Sequence, residues 1–141
     1  MDTFNQQQRK DLAAAYRLVA LFGWDDLSST HISARMEEEE QFLLNSRDQF
    51  FDEITASSLI EVDSTGHAIN TTHAVVNKAG FVIHSAIHQA RPEVGCVIHT
   101  HTQAGMAVSA MECGLLPISQ HALRFYNAIG MHDYEGIAVD L

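Results

Sequence analysis

The chain is poor in the residues that staple or interrupt a fold. It has two cysteines, two prolines and one tryptophan in 141 residues, and 8 lysines and arginines against 18 aspartates and glutamates. Cys96 and Cys113 stand at neither a metal nor a redox spacing, which excludes a disulfide framework and a cysteine-ligated zinc site. Their apolar neighbours predict buried, reduced thiols. The scarcity of basic residues leaves a formal net charge of -10. That charge repels nucleic-acid phosphates and anionic membrane surfaces, so nucleic acid is excluded as a partner. No apolar run is long enough for a bilayer, since Tyr16 and Arg17 interrupt the stretch from Leu12 to Phe22. The opening Met1-Asp2-Thr3 has no basic region of the kind that starts a signal peptide. No membrane insertion and a cytoplasmic location are therefore expected. What is present is 46% hydrophobic residues, enough for one domain with one core and too few residues for two ordinary domains.

Asn5 followed by Gln8 resembles a capping box. Leu12, Ala15, Tyr16, Val19 and Phe22 then recur at helical spacing until Gly23 closes the helix in a left-handed conformation. Asp25 to Thr30 is turn chemistry, and His31 to Met36 alternates in the manner of a half-buried strand. The acidic run Glu37 to Glu40 reads as a solvated turn, with Gln41 to Asn45 as the return strand of a hairpin. Thr55 caps a short helical turn over Ala56 to Leu59, and Ile60 to Asp63 leads into a turn at Ser64-Thr65-Gly66. Asn77 caps a helix from Lys78 to Ala90 that Pro92 stops, with Phe81, His84, Ile87 and His88 on one face. A buried strand is expected over Val94 to Thr100, and a helix over Gln103 to Met111 with small residues suited to packing on a sheet and an exit at Gly114. Gly136 to Leu141 is strand-like. Hairpins followed by alternating strands and helices imply a layered α/β domain and exclude a purely parallel doubly wound sheet.

The residues most suited to chemistry are His99 and His101. Side chains alternate along a strand, so the two imidazoles project from one face and converge, with Thr100 turned away. They stand at the C-terminal end of a strand just before a helix, where open α/β sheets place ligands, and neutral imidazole suits Zn, Fe, Ni or Cu. His84 and His88, four apart on a helix, share a face as well. Ser85 stands where a metalloprotease helix carries glutamate, so packing and hydrogen bonding are the better reading for both. His84 is placed to face the His99 strand as an outer partner that fixes a tautomer. Ser28, Ser29, His31, Asn45 and Ser46 lie at turns or strand ends and form a candidate substrate-binding set. Ordinary turn and core roles are the plainer alternative for these five, and the default for His67, His73, His121 and His132.

The run Arg91-Pro92-Glu93-Val94-Gly95-Cys96-Val97-Ile98-His99-Thr100-His101 resembles the hallmark segment of the class II aldolase/adducin family. Gly23-Trp24, His31 to Arg35, Thr55 to Leu59, Ala79-Gly80-Phe81, His84 to Ile87, Gly114 to Ser119 and His132 to Gly136 extend the resemblance over nearly the whole chain, closest to the adducin-like branch. It implies a three-layer α/β/α fold with a central, largely antiparallel (mixed) sheet, and a domain over residues 1–141 truncated at its C-terminal end.

The resemblance further implies a homo-oligomer, tetramer or dimer, acting on a small molecule. The cofactor would be Zn2+ or another divalent ion such as Fe2+ or Mn2+, with His99 and His101 as two of three histidine ligands. The family's third ligand lies in an Asn-His-Gly segment that this sequence does not contain. Two further departures stand out. The family's Ser-Ser-Glu run, which supplies the acid/base, aligns with Lys78-Ala79-Gly80, and glycine cannot carry a proton. The phosphate-binding Gly-Thr-x-Gly-Asn loop becomes Leu27-Ser28-Ser29-Thr30-His31. The resemblance thus predicts a metal-dependent lyase of aldolase or decarboxylase type on a small hydroxy- or keto-acid without the usual glutamate. The alternative is a non-catalytic, adducin-head-like domain for oligomerisation or protein interaction.

Overall fold

Leu12, Tyr16 and Val19 recur on one face of α1 (Thr3–Leu21), and all three are buried in the computed structural model, which describes residues 3–36, 41–69, 71 and 73–140. The helix ends at Gly23, whose φ of 65° is the left-handed conformation expected of a glycine beyond a helix. Its start differs from the capping-box reading. Asn5 lies inside the helix and is buried, because α1 already begins at Thr3.

The strands β1 (His31–Arg35), β2 (Phe42–Leu44), β3 (Ile60–Val62) and β4 (Cys96–His99) form one sheet in the order β3-β2-β1-β4. Each neighbouring pair is antiparallel, so among the described residues the sheet is not mixed. The helix α2 (Lys78–Ala90) follows β3, and α3 (Gln103–Ser109) and α4 (Gln120–Leu123) follow β4. The expected turn over Glu37–Glu40 lies outside the described residues.

Strand alternation divides the core between the two faces. Ile32 and Leu43 point to α1 and join Leu12, Tyr16, Val19, Phe51 and Ile54. Phe42, Leu44, Ile60 and Val62 point the other way and pack with Phe81 and Val82 of α2. This is a three-layer α/β/α arrangement with a buried sheet centre. Two polar devices lock the layers together. Arg9 of α1 donates to the carbonyl of Leu59 at 2.9 Å and pairs with Glu61 on β3. Arg35 of β1 reaches past the sheet to the His88 carbonyl and to the carbonyl of Val94 at 3.2 Å, satisfying acceptors near the end of α2.

Three expectations fail at the C-terminal side. Cys96 and Cys113 are exposed, Cys96 because β4 is an edge strand whose apolar neighbour Ile98 is itself uncovered. α3 buries none of its residues. Residues 136–140 form no strand, because a strand-like pattern has no ladder to join there. Ala138 instead packs on the α2-side core.

Candidate functional site

Antiparallel register sets the site. His31 of β1 lies directly opposite His99 of β4, and Ser33 opposite Val97, so His31, Ser33 and His99 share the face that α2 covers. The His31 and His99 rings stack with centroids 4.7 Å apart and planes 15° apart. β4 ends at His99, and His101 returns so that the two Nε2 atoms stand 2.8 Å apart. Thr102 then caps α3 by accepting from Gly105 N at 3.1 Å, which holds the chain's direction just past His101. Asp26, in the loop after α1, accepts from His101 Nδ1 at 2.9 Å. That bond places the proton on Nδ1 and leaves Nε2 as a lone pair, the arrangement in which carboxylates orient metal-binding imidazoles.

From α2, His84 Nε2 meets His31 Nδ1 at 2.8 Å, and His84 Nδ1 meets Ser33 Oγ at 2.7 Å. Ser33 Oγ meets His88 Nε2 at 2.8 Å, and His88 Nδ1 meets the Val94 carbonyl at 3.3 Å. The helical spacing of His84 and His88 thus grips β1 through one serine. Burial lowers the pKa of each of these imidazoles and is its largest cause. The His31 value falls to about 4, with the nearby His99 and His101 adding to the effect. His84 falls to about 3, with His31 next in importance, and His88 is lowered with Arg35 contributing. His99 is lowered by burial and then by His101. At neutral pH these rings are uncharged, which is the state a divalent cation requires of its ligands.

Gly80, in the first turn of α2, lies against His31. A Cβ built there would stand 2.7 Å from His31 Cδ2 and 3.0 Å from its Nε2. The imidazole occupies the space a side chain at 80 would take. Gly80→Ala is therefore expected to push His31 off His84 and cost about 2 kcal/mol, the scale of overpacking in a filled core. Urea denaturation of the two chains checks it.

The remaining members of the candidate substrate set are spread out. Asn45 and Ser46 are buried and hydrogen-bonded within the fold: Asn45 Oδ1 accepts from Tyr16 at 2.8 Å, and Ser46 Oγ accepts from Val75 N at 3.0 Å. Ser28 is half-buried and Ser29 exposed, on the loop that carries Asp26. Two open surface hollows, one beside Arg17, Asp25 and Phe50 and one beside Ser64, Lys78 and Val139, contain none of the histidines. Among the described residues no group of three histidine, cysteine or carboxylate side chains converges as a cation cage. His99 and His101 fit a divalent ion as a two-nitrogen half-site. Sequence reasoning missed Asp26 and Ser33. Ser33 was accessible from the alternation of β1, which puts it beside His31 on one face, whereas Asp26 sits in a turn with no periodicity to single it out.

The profile of the Class II Aldolase and Adducin N-terminal domain matches residues 10–141, and the chain belongs to this family. It is 52% identical over 134 residues to a Pseudomonas aeruginosa protein provisionally named an aldolase class 2 protein, covering 95% of this chain and 52% of that one. Alpha-adducin of Rattus norvegicus is 50% identical over 135 residues, covering 94% of this chain and 18% of the adducin. The chain thus spans about half the length of the bacterial relative and less than a fifth of the adducin. Among solved structures, an aldolase II superfamily protein from Pseudomonas syringae superposes with a TM-score of 0.94 at 50% identity, over 99% of this chain and 57% of that one. L-fuculose 1-phosphate aldolase from Glaciozyma antarctica gives 0.82 at 35% identity, over 87% of this chain and 51% of that one. No helix among the described residues is long and apolar enough to cross a membrane.

Proposed function

We propose that this chain carries the metal-binding half-site of a divalent-metal lyase of aldolase or decarboxylase type, acting on a small hydroxy- or keto-acid. The observation that carries it is the approach of His99 Nε2 to His101 Nε2 at 2.8 Å, with His101 oriented by Asp26. When bound, a divalent ion such as Zn2+ polarises a substrate carbonyl oxygen and stabilises the negative charge that develops there. His99 and His101 would hold it, with Asp26 keeping His101 in the tautomer that presents Nε2. Ser28 and Ser29, on the Asp26 loop, are within the same stretch of chain and supply hydroxyl donors to a substrate's oxygens. The similarity to proteins named as class II aldolases supports this chemistry.

Two protein ligands fall short of the three usual at a catalytic zinc, so the 141-residue chain is expected to bind Zn2+ weakly. Asp26→Asn is expected to weaken that binding about tenfold, the low end of the range for losing an outer carboxylate. Competition with a chromophoric chelator measures both. Unchanged zinc binding in a His99→Ala, His101→Ala double variant would sink the assignment.

A second reading is favoured by the C-terminal side of the domain, where Met106, Leu123, Phe125, Tyr126 and Ile137 are exposed. An apolar surface of that kind suits self-association, and the similarity to adducin supports an oligomerisation or protein-interaction role. Under it the chain forms homodimers or tetramers irrespective of metal. Light scattering with and without Zn2+ distinguishes the two: a monomer at all concentrations counts against this second reading.

A further inference from the structure

Leu27 holds a conformation that a bulky side chain disfavours. The turn in which Ser29 N donates to the Asp26 carbonyl at 2.8 Å sets it at φ 51°, in the left-handed region. Packing within the fold does not offset that strain, because the residue is 67% exposed. Leu27 borders an open hollow of about 480 Å³, together with Ala20 and Leu21 of α1 and Phe50 in the stretch after β2. Leu21 is 77% exposed and Phe50 half exposed. A lone surface leucine needs no explanation, but a strained one that shares a hollow with two further uncovered apolar side chains forms a patch.

The rim of the hollow is acidic. Asp25 and Asp52 line it, and among the described residues neither takes part in an ion pair. Arg17, the only basic residue lining it among those described, donates to the Ile54 carbonyl at 3.4 Å. Asp48 and Glu53, on the Phe50 stretch, are exposed and add negative charge, in a chain whose net charge is -10. Such a rim repels an anionic occupant. It also works against a second copy, whose own hollow would bring the same excess of carboxylates to the contact. A cation carried beside apolar groups complements both the floor and the rim. We propose that the hollow docks a basic, leucine-rich segment of another protein. Leu21, Leu27 and Phe50 receive its aliphatic side chains, and Asp25 and Asp52 its lysines or arginines. The hollow contains none of the histidines, so the inference does not rest on the metal-site reading.

Titration of the nitrogen-15-labelled 141-residue chain with three pentapeptides tests it. The probe is acetyl-Leu-Lys-Leu-Leu-Lys-amide, and the controls carry glutamates in place of its lysines or serines in place of its leucines. The probe is expected to shift the amide signals of Leu21, Leu27 and Phe50 and to bind about tenfold more tightly than either control. Leu27→Gly is expected to weaken it about tenfold, the scale of one buried leucine side chain. The same variant is expected to keep or raise the urea midpoint, since glycine takes φ 51° without strain. No shift with the probe overturns the proposal. Equal binding of the serine peptide, or shifts spread over the acidic surface, reduces the effect to net charge and overturns it as well. Shifts at the hollow that grow with chain concentration without peptide would make a second copy the occupant. A lowered midpoint in Leu27→Gly would make the side chain part of the fold, and either of these results overturns the docking role.

Discussion

Lowering the pH from 7 to about 4.5 is expected to remove on the order of 5 kcal/mol of stability, through two buried imidazoles each worth roughly 1.4 kcal/mol per pH unit over that window. His84 and His31 have folded-state values of about 3 and about 4, depressed chiefly by burial. The unfolded chain takes up protons near pH 6.5, well before the native chain does. Stability is therefore full above that pH and falls as the pH drops towards 4, flattening once the folded rings protonate. His88 adds in the same direction. The groups facing these rings cannot relieve the charge. His31 faces His99 and His84, and His88 lies close to Arg35, and among the described residues no carboxylate is bonded to any of the three. Urea denaturation at pH 7.5, 6 and 5 reads the slope, expected to correspond to uptake of about two protons on unfolding. A flat profile across that range contradicts the neutral state of these rings.

The second large effect concerns Tyr16. Its phenol oxygen accepts from Ile32 N at 2.9 Å and Asn45 N at 3.2 Å. Its proton points between the Ile32 carbonyl and Asn45 Oδ1. The β1–β2 ladder pairs only Ala34 with Leu43 and Arg35 with Phe42, so beyond it the phenol stands in for rungs the strands no longer make. Burial raises the Tyr16 pKa far above its usual value, which keeps the proton in place for that role. Tyr16→Phe leaves the ring packed edge-on against Phe51 but strands three buried backbone groups. The expected loss is about 3 kcal/mol, given the cost of unsatisfied buried groups. For a chain of this size that corresponds to roughly 10 °C in Tm. Since Ile32 adjoins His31, broadening of the His31 imidazole resonances is expected as well. A Tm within about 2 °C of the parent would show the phenol to be dispensable.

These two effects mark what was legible beforehand. α1 was readable because Leu12, Tyr16 and Val19 repeat at helical spacing, and α2 because Asn77 and Pro92 bracket it. His99 and His101 do meet, as alternation predicted, but β4 ends at His99 and it is the turn before the Thr102 cap that brings His101 back. The pairing of His31 with His84 was not readable, since 53 residues separate them and only the β1–β4 register and the seat of α2 bring them together. Gly80 likewise looked like a lost function in one dimension, whereas in three it is the space that His31 fills. The cysteines misled because apolar neighbours signal burial only for a strand with a cover on both faces. Cys96 and Ile98 point to the α1 side of β4, beyond the reach of that helix.

That edge position governs how firmly the histidines are held. Among the described residues, β1 is bonded on both sides, whereas β4 pairs with β1 on one side and has no strand on the other. Edge strands open locally at a fraction of the global unfolding free energy. Amide exchange is therefore expected to be faster along Cys96–His99 than along the inner strands β1 and β2. Under the proposed metal reading, an ion held by His99 and His101, with His101 tied through Asp26 to the loop after α1, would bind only the closed strand. Its occupancy and the protection of β4 amides are thus two readings of one opening equilibrium.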